Sequence, residues 1–141
     1  KIVLEHPSQI CDTIDGAGMP ETVVLIYQET NGSAPLLEWL DGLPEKAQDK
    51  ITARIELLAE RGHELRRPHC DYLEQQVYEL RVRLGRVHYR ILYAFVGRDV
   101  VLLSHGCTKL GVVPRTEITQ AVRNLAAYQG APLKHTYRED E

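Results

Sequence analysis

The run Val77-Tyr78-Glu79-Leu80-Arg81-Val82-Arg83-Leu84-Gly85-Arg86-Val87-His88-Tyr89-Arg90-Ile91-Leu92-Tyr93-Ala94-Phe95-Val96 decides the fold. Apolar and polar residues alternate along most of it with a period of two, the pattern of strands that bury one face. Gly85-Arg86 and, further on, Gly97-Arg98 are Gly-x pairs suited to two-residue II′ hairpin turns. They predict a three-stranded antiparallel meander over Val77–Leu84, Val87–Val96 and Asp99–His105. A turn at Gly85-Arg86 sets Leu84 against Val87, Val82 against Tyr89, Leu80 against Ile91 and Tyr78 against Tyr93, an entirely apolar or aromatic face. The other face pairs Arg83 with His88, Arg81 with Arg90 and Glu79 with Leu92. A three-residue loop would mix the two sets, which burial of one face forbids.

The same rule applied at Gly97-Arg98 places His105 opposite Arg90 and Ser104 opposite Ile91. Arg81, Arg90 and His105 are therefore expected in one row across three strands, about 10 Å long at about 4.8 Å per strand, which is room for one phosphate. Two facing arginines disfavour each other by a few tenths to about 1 kcal/mol, so the row suits a bound anion. Glu79, diagonal to Arg90, offers the ordinary alternative of a surface ion network.

Working outward, Thr22 to Tyr27 is rich in β-branched residues and reads as a first strand, followed by the turn former Asn31-Gly32-Ser33. Ala34 to Asp41 reads as a short helix closed by Gly42, and Pro44 opens a longer one. In the second helix Ala47, Ile51, Ile55 and Leu58 form an apolar stripe that ends before Gly62, so the pair is expected to lie as a hairpin on one face of the sheet. After Pro114, Ile118, Ala121, Val122 and Leu125 recur at helical spacing up to Tyr128-Gln129-Gly130. The expected organisation is an N-terminal arm or extension over 1–21, one α+β domain over 22–129, and a flexible C-terminal tail over 130–141.

A length of 141 residues is that of one ordinary domain, and 43% hydrophobic with 26% charged residues is a globular composition. The longest apolar run, Ile91 to Val96, falls far short of the roughly 20 residues of a membrane-spanning helix, so no membrane partner is expected. Lys1-Ile2-Val3-Leu4 turns polar without the apolar stretch of a secretion signal. The cysteines, Cys11, Cys70 and Cys107, contain no Cys-x-x-Cys pair, which disfavours a disulfide framework and fits a reducing cytoplasm. His69-Cys70 and His105-Gly106-Cys107 lack the two tight ligand pairs of structural zinc, so no metal is assigned. Charge is unevenly spread: residues 1–60 carry a net −7, residues 61–115 a net +5 and residues 116–141 a net −1. Four of the six histidines, His63, His69, His88 and His105, fall in the basic middle, where an anionic partner would be drawn.

The runs Val77-Tyr78-Glu79-Leu80-Arg81-Val82-Arg83, Tyr89-Arg90-Ile91-Leu92-Tyr93 and Leu102-Leu103-Ser104-His105-Gly106 resemble the HigB-like branch of the RelE/ParE toxin superfamily, of the phage-derived type. Leu37-Glu38-Trp39-Leu40-Asp41, Leu43-Pro44, Arg67-Pro68, and Pro114 with Glu117-Ile118 and Ala121 extend the resemblance over roughly residues 22 to 128. Where that family has two lysines after the His-Gly step, this chain has Lys109-Leu110, and Val113-Pro114 replaces a Thr-Pro.

The resemblance implies a β-α-α-β-β-β-α fold and the toxin of a type II toxin-antitoxin system. Such a toxin is a metal-independent, cofactor-free endoribonuclease that cleaves mRNA, generally on the ribosome. Its partner would be a helix-turn-helix antitoxin of the HigA-like kind, with oligomers formed only through the antitoxin complex. The family's basic positions fall here on Arg81, Arg90 and Lys109. In the chemistry expected, a ribose 2′-hydroxyl attacks the adjacent phosphate, Arg81 and Arg90 stabilise the phosphorane, and His105 is the base. Lys109 or His88 would be the leaving-group acid, and Arg83, His88, Arg66 and Arg67 would contact RNA. The alternative is a toxin-fold binding protein without catalysis, either a gyrase inhibitor or a module that docks an antitoxin.

Overall fold

The computed structural model describes residues 22–108 and 111–139; the expected arm over 1–21 and the residues Lys109 and Leu110 lie outside them. Along the chain come β1 (Val23–Ile26), α1 (Pro35–Asp41), α2 (Glu45–Arg61), a 3-10 turn (Gly62–Glu64), β2 (Cys70–Glu74), β3 (Val77–Leu84), β4 (Val87–Gly97), β5 (Val100–Thr108) and α3 (Arg115–Gly130). The five strands form one mixed sheet in the order β1-β5-β4-β3-β2, with β1 parallel to β5 and every other pair antiparallel. The architecture is α+β.

Each face of the sheet carries its own core. Tyr78, Leu80, Val82, Tyr89, Ile91, Tyr93, Val101 and Leu103 face the helical hairpin, where Leu36, Leu40, Ala47, Ile51, Ile55 and Leu58 meet them. On the opposite face α3 covers β1, β4 and β5 through Ile118, Ala121 and Leu125, packed on Leu25, Leu92, Ala94, Leu102 and Cys107. Pro35, not Ala34, is the first residue of α1, and Pro44, expected to open α2, stands just before it as its N-cap residue. Gly62 ends α2 at φ +54, where a Cβ would lie 2.2 Å from the Thr22 hydroxyl. Gly106, on β5, lies under the indole of Trp39, which would meet an added Cβ at 2.2 Å.

The β3–β4 register is the predicted one at every position, Arg81 facing Arg90 and Arg83 facing His88, and Gly85 adopts φ +62 as its turn requires. The meander has one more strand than predicted. β2 joins β3 through Gln75-Gln76, both at positive φ (53° and 71°), as the two central residues of a I′ turn must be. Neither residue is of the Asn-Gly kind that announces such a turn.

The predicted β4–β5 register does not hold. The turn is Arg98-Asp99, with Gly97 paired to Val100, and Gly97 is not among the residues at positive φ. A turn moved by one residue shifts the pairing by two, so Arg90 faces Cys107 and His105 faces Leu92; two bulges lie between, one leaving Val96 unpaired and one leaving Ser104 unpaired. Each bulge shifts the pairing by one residue. One bulge lies on each strand, so together they cancel, and His105 stays on the face of Arg81 and Arg90 but sits two residues along β4 from its expected place, beneath α3.

The segment after α3 is docked, contrary to the expectation of a free tail from residue 130. His135 is buried, its Nδ1 lies 2.8 Å from the Gln28 carbonyl and its ring stacks on Tyr27. The Tyr137 amide donates to Ile26 O at 2.8 Å, which covers the outer edge of β1.

Candidate functional site

Arg81 and Arg90 face each other across β3 and β4 on the α3 side of the sheet, at the end α3 leaves uncovered. Between them lies Glu79, only 3% exposed. Arg81 Nε donates to Glu79 Oε2 at 2.8 Å, and Arg90 Nε lies 2.9 Å from Oε1 at an angle that makes it a charge contact rather than a hydrogen bond. Asp71, on β2, accepts from Arg81 at 3.2 Å and from Arg67 at 2.9 Å. The hydrogen bond from Arg67, its charge and that of Arg81 hold the Asp71 carboxyl below the ordinary aspartate value. The pair is thus held by carboxylates on one side, as the ion-network alternative requires.

On the other side a cleft of about 690 Å³ opens, lined by Lys50, Arg54, His69, Arg81, Arg83, His88 and Arg90 with Pro68, Val82, Gly85 and Tyr89. None of these lining residues is acidic. The cleft exists because β2 stops short: its pairing reaches Leu80, the Arg81 amide goes to His69 O, and the remainder of β3 is an open edge. α2 closes that edge with side chains instead of a strand. Arg54 donates to the Arg81 carbonyl and Lys50 Nζ to the Arg83 carbonyl at 2.8 Å, so residues four apart on one helix face bring two cations to the sheet. Desolvation lowers the Arg54 pKa, and desolvation together with Arg54 and Arg61 holds the His69 imidazole below its ordinary value.

A family model described as phage-derived protein Gp49-like (DUF891) matches residues 38–126, the span from α1 to α3 that carries the whole cleft. The chain belongs to that family. Gp49-like proteins are RelE/ParE-like toxins. No curated protein matches the chain significantly.

In this Gp49-like chain four of the residues singled out from sequence, Arg81, Arg83, Arg90 and His88, meet in one cleft. Arg83 Nε also donates to Gly85 O at 2.9 Å. Arg66 and Arg67 lie on the far side of the segment 66–71, exposed, and line a different cleft. Lys109 falls outside the described residues. His105 departs most from expectation: it is 7% exposed and does not line the cleft. Its Nδ1 lies 2.8 Å from Ser104 Oγ and its Nε2 2.9 Å from Glu117 Oε1, while Asn124 Nδ2 donates to Ser104 Oγ at 2.9 Å. Both ring nitrogens are occupied in a network that ties the Ser104 bulge to α3. The sequence reading missed Lys50 and Arg54, and it placed His69 in the basic middle segment without a role in the site. The Lys50/Arg54 spacing was the available signal, since it places both on the flank of the Ile51–Ile55 stripe.

Among the described residues no group of three or more His, Cys, Asp or Glu side chains is placed to hold a metal ion. No helix among them is long and apolar enough to cross a membrane.

Proposed function

We propose that this protein is the toxin of a type II toxin-antitoxin pair and acts as an endoribonuclease on mRNA, with Arg81 and Arg90 as its phosphate-binding centre. The observation that carries the reading is the facing arginine pair in a cleft without a carboxylate lining. Arg81 spends two of its guanidinium's five N–H donors on Glu79 and Asp71, which fix its plane and leave the rest for an anion. A preoriented donor pair of this kind stabilises a phosphorane more than a ground-state phosphate, because a second negative charge develops on the equatorial oxygens.

The proton steps fall to the histidines of the cleft. His69, held toward its neutral form by desolvation and by Arg54 and Arg61, accepts the 2′-hydroxyl proton as the 2′-oxygen bonds to phosphorus. The bond from phosphorus to the 5′-oxygen breaks, and that oxygen takes its proton from His88; Lys109 is the alternative donor. The products are a 2′,3′-cyclic phosphate and a 5′-hydroxyl. His105, sealed between Ser104 and Glu117, serves structure in this scheme instead of the base role its sequence position suggests.

A second reading draws on Glu79 and Asp71, which already neutralise part of the arginine pair. The cleft then binds an acidic antitoxin segment and performs no chemistry. Mapping the 5′ ends of cellular transcripts after brief expression separates the two: new 5′-hydroxyl ends support the nuclease, and growth arrest without new ends supports the binder.

A further inference from the structure

A second cleft, of about 550 Å³, opens on the hairpin face of the sheet, between the 3-10 turn and strands β2, β3 and β4, and no step of the proposed chemistry uses it. Aromatic rings make its walls. Tyr78 stacks on Tyr93 at 5.4 Å between centroids, Tyr72 and Phe95 meet Tyr78 edge-on at 5.1 and 5.5 Å, and His63 lies over Phe95 at 3.6 Å, tilted by 15°. Core packing accounts for Tyr93, but Tyr72 is 52% exposed, a large ring left open to solvent at the mouth. Arg66 and Arg67 line the same cleft, and the Arg67 side chain is 73% exposed.

The two clefts share a wall. Pro68 and His69 line the first, while Arg66, Arg67, Cys70 and Asp71 line the second. Asp71 bonds Arg81 of the first and Arg67 of the second. A strand of nucleic acid lying in the first cleft therefore has a path over His69, Arg67 and Arg66 into the second, with Asp71 the one carboxylate of the segment 66–71. Flat rings with guanidinium groups at their rim are the chemistry that holds an unpaired base and its phosphate, since stacking serves any base and a guanidinium matches a phosphate.

We infer that the second cleft is a base-binding subsite: an unpaired nucleobase stacks on the exposed ring of Tyr72, Arg66 and Arg67 take its phosphate, and the adjoining phosphate lies against Arg81 and Arg90 on their cleft side. This assignment rests on the RNA reading of the first cleft. Its consequence is that recognition extends beyond the scissile phosphate and that Tyr72 governs affinity for the strand.

The test uses a six-nucleotide 2′-O-methyl RNA, which cannot be cut through a 2′-hydroxyl, and the same oligomer with one abasic position moved along it. Binding is measured for the whole chain and for Tyr72→Ala and Tyr72→Phe, with folding of each checked by circular dichroism. For the wild type one abasic position weakens binding by about tenfold. Tyr72→Ala binds the complete oligomer about tenfold more weakly and is indifferent to that abasic position, while Tyr72→Phe, which keeps the ring, follows the wild type. Failure of the wild type to bind, abasic losses identical in wild type and Tyr72→Ala, or a Tyr72→Ala defect confined to a protein partner would each overturn the subsite. Cleavage of the matching ribo-oligomer on programmed ribosomes is followed in parallel. Tyr72-dependent binding without cleavage keeps the subsite and removes the nuclease reading, and cleavage with binding indifferent to Tyr72 removes the subsite alone.

Discussion

Arg81 on β3 stands directly opposite Arg90 on β4, with the buried carboxylate of Glu79 against both guanidinium groups. Two cations at adjacent strand positions would repel, and Glu79 makes their approach tolerable while leaving the opposite side of the pair to the cleft. The arrangement separates two roles: the carboxylates on one side hold the pair in place, and its other side faces the cleft.

Removing the carboxylate tests the structural half. Glu79→Gln leaves two partly buried guanidinium groups without their shared counter-charge, and breaking a buried pair from one side costs about 3–5 kcal/mol. Because the Arg81 side chain is 39% exposed and therefore partly solvated, a loss near the lower figure is expected in urea denaturation. Unchanged stability would mean that Glu79 does not hold the pair.

His105→Ala is expected to act on stability and not on cleavage. The substitution strips partners from the buried Ser104 hydroxyl and from Glu117, at about 1–3 kcal/mol for a buried polar group left unsatisfied. Cleavage per folded molecule should remain within a few-fold of wild type. A loss of about 10²-fold or more in a folded variant would restore His105 as the base.

How much of this was legible in the sequence varies from strand to strand. The β3–β4 hairpin was fully readable, since strict alternation fixes its faces and Gly85 supplies the one positive φ its turn needs. β2 was not, because Gln75-Gln76 makes its turn from residues that carry no turn signature. The β5 register failed at its turn, which is Arg98-Asp99 instead of the Gly97-Arg98 that carries the turn signature, and His105 moved with it; the bulges at Val96 and Ser104, one on each strand, cancel. Arg81 and Arg90 followed from the readable hairpin. Lys50, Arg54 and His69 did not, because they meet only when α2 packs across the open edge of β3, a contact between segments far apart in sequence.

The His69 environment gives a pH dependence with a definite sign. Its pKa is lowered in the folded protein by desolvation, Arg54 and Arg61, so the unfolded chain binds the proton more readily. The associated stability is complete above the unfolded value of about 6.5 and declines as pH falls from there through the folded value. As the base, His69 keeps its accepting form to lower pH than a free histidine, so the acid limb of kcat/KM should lie below about pH 6.5. In the folded variant His69→Gln that limb should disappear along with most of the activity, about 10²-fold or more. An unaltered pH–rate profile in His69→Gln would remove it from the chemistry.

Gly106→Ala probes the seat of Trp39. The added methyl would meet the indole at 2.2 Å and displace it, with loss of the Trp39 Nε1 bond to Thr108 Oγ1 at 3.1 Å, at an expected cost of about 1–3 kcal/mol. A blue- or red-shifted emission of the single tryptophan reports the displacement, and an unshifted spectrum with unchanged stability would contradict it.

In the proposed reaction the Arg81–Arg90 pair binds the scissile phosphate and stabilises its transition state. The most direct measurement is single-turnover cleavage of mRNA on programmed ribosomes by wild type, Arg81→Ala and Arg90→Ala, each shown to be folded, with the chemistry of the new ends determined. Wild type is expected to leave 2′,3′-cyclic phosphate and 5′-hydroxyl ends, and each variant to cut about 10²-fold or more slowly, as loss of a transition-state donor produces. Wild-type protein that leaves the message intact, or folded arginine variants that cut as fast as wild type, would contradict it.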